Sequence, residues 1–385
     1  MIAAPPKILP LSETFTPATQ ADLAETVRTA YDGKTPVYPL GGGTALAYGL
    51  VGKTPGWGLN TKALNKVVDY PARDMTITVE SGVTISELQK VLSAEGQHLP
   101  VDIAQPQEAT LGGAISVNMS GPRRFGHGTL RDYVIGISAV DGRGKEFHAG
   151  GRVVKNVAGY DFCKLLVGSL GTLAVVTQVT LKVKPIPTSV TWLSFTAATL
   201  EQAESALATI AASRATPIAV ELLSGGDMAS WTDGDGQSFD DAAARILVGV
   251  EGTVSETAWM SASLRNELLI AGLRHDREMT DADACSKLLE RLTAFGCESA
   301  TSTKPPLVLK FNIRPSGVVE LVAEVRRLLP DATLLAHAAA GIVIVRSKPE
   351  VTIHDIAKSL LALCSRSRHG SGGNASSGIR PLRKS

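Results

Sequence analysis

Pro39-Leu40-Gly41-Gly42-Gly43-Thr44-Ala45-Leu46-Ala47-Tyr48-Gly49 places three consecutive glycines directly after a short apolar run. Backbone without Cβ atoms can take positive φ angles and lets several N–H groups converge on an anion at close range. Two common phosphate motifs each fail here by one residue. A dinucleotide-binding G-x-G-x-x-G begun at Gly41 meets Leu46 where its last glycine belongs, and a P-loop counted back from Gly52-Lys53-Thr54 meets Ala47. The loop carries no lysine, so a charge held there is met by backbone dipoles rather than by a cation. Two readings stay open at this point: a grip on a pyrophosphate that stays intact, or a tight strand-to-loop turn that holds nothing.

The stretch has company. Ala109-Thr110-Leu111-Gly112-Gly113 opens an apolar helical turn, and Asn118, Ser120 and Gly121 follow with groups able to bond another part of the same ligand. Gly168-Ser169-Leu170-Gly171-Thr172 then precedes a strand that contains Val175. Three glycine clusters, each at an element junction of one domain, exceed what ordinary turns require.

The remaining composition excludes several classes. A chain of 385 residues is longer than one core usually grows, so two domains are expected. With 38 Lys+Arg against 37 Asp+Glu the net charge is +1, which leaves no electrostatic footprint for nucleic acid. Cys163, Cys285, Cys297 and Cys364 are scattered, without the pairing that holds zinc or an iron–sulfur cluster, and read as reduced thiols. The sequence has neither a secretory signal pattern nor an apolar run long enough to span a bilayer. A cytoplasmic protein is expected, with any contact to the inner membrane made through a partner.

Periodicity sets the organisation. Leu23, Val27, Ala30 and Tyr31 predict a helix over 18–32, and Met75, Ile77 and Val79 alternate as a half-buried strand. Thr84-Ile85-Ser86-Glu87 is a capping box for a helix running to about 95. A hairpin turns at Asp141-Gly142-Arg143-Gly144, and a long strand ends at Pro185 and Pro187, the predicted domain boundary. Beyond it, strands at 190–195, 218–223, 245–252, 306–313, 332–337 and 341–346 alternate with helices at 199–213, 254–271, 316–329 and 352–364. That grammar predicts an α+β cap domain over 188–364, helices packed on one face of an antiparallel sheet, after a domain over 1–187. The Ser, Gly and Arg-rich tail, 365–385, has too little apolar content to pack and is expected to be disordered.

The ordered set GGGT, A-T-L-G-G-x-I-x-x-N-x-x-G with Phe125-Gly126 and Arg131-Asp132 behind it, K-N-V-A-G-Y-D and G-S-L-G-T-L-x-V-V-T resembles the FAD-binding domain of the p-cresol methylhydroxylase/vanillyl-alcohol oxidase family over residues 15–187. Within it, "GGRVVKNVAGYD" and "KLLVGSLGTL" most resemble the FAD-binding subunits of bacterial glycolate oxidases. The resemblance implies a two-part FAD domain in which Leu40, Gly41, Gly42, Gly43, Thr44, Ala45 and Leu46 wrap the pyrophosphate. Ala109, Thr110, Leu111, Gly112 and Gly113 would approach the pyrophosphate and ribityl side. Asn118 and Ser120 would face the flavin, with Gly121 and Gly171 in the same site and Val175 near the adenine or ring through its backbone. The first loop has no histidine, so noncovalent FAD is expected. The resemblance further implies oxidation of glycolate to glyoxylate within a complex: a second FAD-containing catalytic subunit, and an iron–sulfur subunit that takes the electrons.

Oxidising a small 2-hydroxy acid on flavin needs a group to take the hydroxyl proton and a cation or metal to hold the carboxylate. Relatives active on such acids resemble one another in an H-x-G-D-G-N-x-H segment, from which Leu335-Ala336-His337-Ala338-Ala339-Ala340-Gly341 departs, with one histidine and no adjacent carboxylate. One imidazole cannot make a divalent metal site. His337 is either a remnant of a substrate site or a satisfied histidine between two strands. Arg314 is a carboxylate clamp or a solvated strand end, and Arg123-Arg124 meets FAD phosphate or a surface partner. Lys155 and Asp161 lie in a segment like the family's, where Asp161 also reads as a helix cap. Two rivals remain beside the subunit reading: a self-sufficient FAD-dependent dehydrogenase for D-lactate or another 2-hydroxy acid, with His337 and Arg314 as its site, and a flavin-free structural subunit.

Overall fold

The computed structural model describes residues 9–46, 48, 52–119, 121–151, 160–226, 243–297 and 306–347. Ser120, Lys155, the expected helix over 352–364 and the tail over 365–385 lie outside them. The chain divides into two compact units, Met1–Pro187 and Thr188–Ser385.

The first unit runs β1 (Leu11–Phe15), α1 (Gln20–Asp32), β2 (Val37–Leu40), β3 (Gly56–Asn60), β4 (Val67–Asp69), β5 (Thr76–Glu80), α2 (Ile85–Ser93), β6 (Gln97–His98), α3 (Leu111–Val117), α4 (Arg124–His127), α5 (Leu130–Tyr133), β7 (Val134–Asp141), β8 (Glu146–Gly150), α6 (Phe162–Leu166), β9 (Ala174–Lys182) and β10 (Lys184–Pro185). Its two parts have separate sheets. A parallel sheet, β1-β3-β2, packs with α1 around Leu23, Val27, Leu59 and Leu64. An antiparallel sheet, β4-β5-β9-β7-β8, packs with α2, α3 and α6 around Ile77, Leu88, Leu111, Ile115, Leu166 and Val179. The expected capping box forms: Thr84 Oγ1 accepts from Glu87 N, and Glu87 Oε2 accepts from Thr84 N.

The second unit runs β11 (Ser189–Ala197), α7 (Leu200–Ala212), β12 (Ala219–Gly225), β13 (Ala244–Gly252), α8 (Val254–Ile270), β14 (Arg274–Met279), α9 (Ala282–Ala294), β15 (Leu307–Asn312), α10 (Val318–Leu328), β16 (Thr333–His337) and β17 (Ile342–Ser347). Its strands form one antiparallel sheet of order β14-β11-β13-β12-β16-β17-β15. The first four have the order of a split βαβ unit. The fold is α+β as expected, with one correction to the layering. Helices α7, α8 and α10 cover one face, but α9 buries Cys285, Leu288 and Leu292 against Trp192, Leu223, Leu247 and Leu335 on the other. Periodicity predicts no element over 272–305 because β14, RHDREM, is a charged edge strand with no apolar alternation.

Candidate functional site

The three glycine clusters meet at one junction of the first unit. Leu40, the last residue of β2, accepts from Thr61 N at 2.9 Å and Thr61 Oγ1 at 3.1 Å, which pins the exit of β2 to that of β3. The chain then runs against the second cluster so tightly that side chains have no room. A Cβ on Gly41 would lie 2.2 Å from Thr110 Oγ1, and one on Gly42 would lie 1.8 Å from the Glu108 carbonyl oxygen. Gly43 differs: its φ is +82°, and a Cβ there would meet only Leu46 Cδ1 at 3.9 Å, so this glycine faces open space. The third cluster joins from the other side. Gly168 N donates to Ile115 O at 2.9 Å, Leu170 N donates to Ser116 O at 2.8 Å, and Gly171 lies against Pro39.

Hydrogen bonding separates the roles of the clusters. At the start of α3, Leu111 N donates to Val83 O at 2.9 Å, Gly112 N to Ser81 O at 2.7 Å and Gly113 N to Thr110 Oγ1 at 3.3 Å. Those amides are consumed by the fold, so the second cluster supplies close approach rather than donors. Among the described residues, by contrast, the N–H groups of Gly41, Gly42, Gly43 and Thr44 donate to no protein acceptor. Backbone donors are obligatory hydrogen-bonding groups, and four in succession on a glycine bend make an anion cradle whose donors are left for water or a ligand. Asn118 ends α3 in the left-handed region, φ 52°, and its Oδ1 is buried without a hydrogen-bond partner. A buried acceptor left in this state costs about 1–3 kcal/mol, which a ligand donor would recover.

The other expected residues are placed as follows. Thr110 caps α3, the side chains of Ala109 and Leu111 enter the core, and Gly121 accepts from Arg124 N. Strand alternation turns the side chain of Val175 into the α1 core with Leu59 and Val140, so any part it has in the site belongs to its backbone. Arg123 is anchored to Asp102, with Nε–Oδ1 at 2.8 Å, a second guanidinium contact at 2.7 Å and its backbone N on Oδ2 at 2.8 Å. Asp161 caps α6; the Lys164 N–H that it accepts lowers its carboxyl below the usual range. Burial pushes the thiols of Cys163, Cys285 and Cys297 up, which keeps them protonated. Sequence reasoning missed Ser81, fully buried beneath Gly112 with its Oγ unbonded, and Asp102; the only local signal was Glu80-Ser81-Gly82 closing a strand.

In the second unit His337 is 3% exposed, and its Nδ1 lies 2.6 Å from Oε2 of Glu221, which is 0% exposed. The two are register partners on β16 and β12. Arg314 is exposed and begins the turn ahead of α10. Among the described residues no group of three or more His, Cys, Asp or Glu side chains is placed to hold a metal, and no helix is long and apolar enough to cross a membrane.

Residues 12–150, within the first unit, match the family model described as FAD binding domain. The chain is 33% identical to glycolate oxidase subunit GlcE of Escherichia coli (strain K12) over 232 residues, 60% of this chain and 64% of that protein. It is 33% identical over 190 residues to glycolate oxidase subunit GlcD of Bacillus subtilis (strain 168), covering 49% of this chain and 40% of the relative. D-lactate dehydrogenase of Archaeoglobus fulgidus is 28% identical over 304 residues, 78% of this chain and 62% of its own length. The chain thus spans less than two thirds of each of these three relatives. Two solved structures share the fold across 92% of the chain: alkyldihydroxyacetonephosphate synthase, with a TM-score of 0.73 at 18% identity over 70% of its chain, and p-cresol methylhydroxylase with substrate bound, 0.69 at 14% over 78%.

Proposed function

We propose that this chain is the FAD-binding subunit of a complex that oxidises glycolate to glyoxylate. When bound, FAD supplies the acceptor for the hydride equivalent removed from the hydroxyl-bearing carbon. The chain's own part is binding and orientation. Gly41, Gly42, Gly43 and Thr44 donate their amides to the pyrophosphate, Ala45 and Leu46 close the bend, and Gly113 leaves room for the cofactor, while Gly112 and Gly171 let Ser81 and Pro39 pack close enough to shape the site. Asn118 Oδ1 accepts from a donor on the flavin, beside Ser120 and Gly121. No residue tethers the cofactor covalently. The single observation that carries this reading is the convergence of three glycine clusters on four unclaimed amides.

In this reading a second FAD-containing subunit carries the substrate site, and an iron–sulfur subunit takes the electrons onward. The departure of the His337 segment from H-x-G-D-G-N-x-H motivates that division. The test is to purify the chain natively with its co-purifying subunits and compare glycolate-dependent reduction of an artificial acceptor by the complex and by the chain alone. A rate for the isolated chain equal to that of the complex overturns the division of labour.

One observation favours a second reading, a self-sufficient dehydrogenase for D-lactate or a similar acid. Glu221 holds His337 by Nδ1, the arrangement by which a carboxylate fixes an imidazole and leaves Nε2 as the acceptor. His337→Asn separates the two readings: loss of turnover in the complex supports the second, and retained turnover supports the first.

A further inference from the structure

The Asp102 carboxylate is 2% exposed, and a charge withdrawn from water to that degree needs partners fixed around it. Arg123 supplies three contacts: Nε donates to Oδ1 at 2.8 Å, a second guanidinium nitrogen lies 2.7 Å from the same oxygen, and the Arg123 backbone N donates to Oδ2 at 2.8 Å. Both carboxylate oxygens are engaged, and the guanidinium plane is held in one orientation that the point charge of a lysine could not reproduce. The arginine side chain is itself only 16% exposed. A guanidinium that could have met a phosphate or a partner is thus turned onto the chain's own carboxylate. A buried ion pair is a weak source of stability beside an apolar pair of the same volume, and its best-attested use is to specify one arrangement of the chain that carries it.

The two residues come from opposite sides of the second glycine cluster. Asp102 lies on the loop over 99–110, which is held at both ends: Gln89 bonds Leu99 N at 3.2 Å and Leu99 O at 2.7 Å, and Ala109 O accepts from Ile85 N at 2.9 Å. The Glu108 carbonyl of the same loop is the one against which Gly42 packs. Asp102 therefore stands on the wall of the glycine junction. Arg123 lies a few residues beyond Asn118, which ends α3 in the left-handed region, φ 52°, with its N donating to Ala114 O at 2.8 Å. Asparagine takes that conformation more readily than most residues, and there the direction of its side chain follows the path of the chain beyond it. That path is fixed where Arg123 meets Asp102, and the Oδ1 that it directs is the buried, unbonded acceptor of Asn118. We propose that Asp102 and Arg123 are positioning residues for the flavin site: they clamp the chain after α3 to the wall of the junction and so hold Asn118 Oδ1 where a flavin donor meets it. The inference rests on the reading of the first unit as an FAD site, and it adds to that reading a pair that acts through Asn118.

The test is a fluorescence titration of the full-length chain, freed of flavin, with FAD. Asp102→Asn should raise the FAD dissociation constant roughly tenfold, as Asn118→Ala does, and Arg123→Lys about fivefold, because lysine keeps the charge but not the fixed plane. Arg123→Lys also carries the test where Asp102→Asn fails to fold, since it leaves no buried charge unpaired. The decisive comparison is made in the Asn118→Ala background. With the positioned group gone, either change should alter the dissociation constant by less than about twofold, whereas an ion pair with a merely structural role lowers affinity by the same factor in both backgrounds. Losses that multiply overturn the clamp, and so does an affinity that Arg123→Lys leaves unchanged in the wild-type background. A wild-type chain that takes up no FAD is a different result: it contradicts the flavin reading of the first unit and takes the clamp's role with it.

Discussion

The glycine junction of the first unit and the Glu221–His337 pair of the second are both precise close approaches, but they are built from opposite materials. At the junction backbone meets backbone, and the groups left for a ligand are ones that every residue has, released by the absence of side chains. In the second unit's sheet two side chains 116 residues apart meet while both are buried from solvent. The first kind of site tolerates no addition, and the second tolerates no subtraction.

The largest effect expected from that contrast is at Gly42. A Cβ placed 1.8 Å from the Glu108 carbonyl forces the backbone apart, so Gly42→Val should cost about 3 kcal/mol or more and yield protein without flavin. Urea unfolding and flavin content read both outcomes; a stable, flavin-loaded variant breaks the claim that the junction is intolerant. Next comes the pair. Glu221→Ala leaves a buried imidazole without its partner and should cost about 3 kcal/mol, whereas Glu221→Leu combined with His337→Leu should recover most of that loss. If the double variant is no more stable than the single one in urea unfolding, the pair is not a matched unit.

A smaller effect belongs to Asn118. Asn118→Ala removes an acceptor but not the cradle, and should weaken flavin affinity roughly tenfold, about 1.4 kcal/mol, in a fluorescence titration. An unchanged affinity would detach Asn118 from the cofactor. The smallest effect belongs to a hairpin turn of the first unit that is part of neither site. Asp141 accepts from Arg143 N and Lys145 N, and the Lys145 amide lowers its carboxyl pKa. Its stabilisation is therefore complete above the ordinary carboxylate pKa and lost as pH falls through the lowered folded value. At this solvent-exposed turn it is worth about 0.5 kcal/mol. Asp141→Asn should flatten that acid limb of the stability curve, and an unaltered limb places the titration elsewhere.

What could be read in advance follows the same division. Gly41–Thr44, Gly112-Gly113 and Gly168–Thr172 were legible as junctions because the need for backbone without Cβ is local and written in one residue type. The amphipathic spacing of α1, α2 and α10 was legible for a similar reason. Glu221 was silent because its partner is 116 residues away, and a glutamate inside "IAVELL" looks like the polar member of an ordinary strand. Ser81 and Asp102 were silent for the same reason: their partners, Gly112 and Arg123, are set by topology and not by spacing. Helix α9 had its signal, Asp281 capping Ala284 ahead of Cys285, Leu288 and Leu292, but the charged strand before it hid the start. Which cluster keeps free amides could be told only once Val83, Ser81 and Thr110 were seen to claim those of α3.

The central claim is that the unclaimed amides of the first unit, with the acceptor of Asn118, hold FAD without a covalent bond. The most direct measurement is the absorption spectrum of the full chain purified under native conditions, followed by denaturation and filtration. One flavin per chain, released entirely into the filtrate, is the predicted result. A colourless chain that takes up no added FAD, or a flavin that stays on the denatured chain, would contradict it.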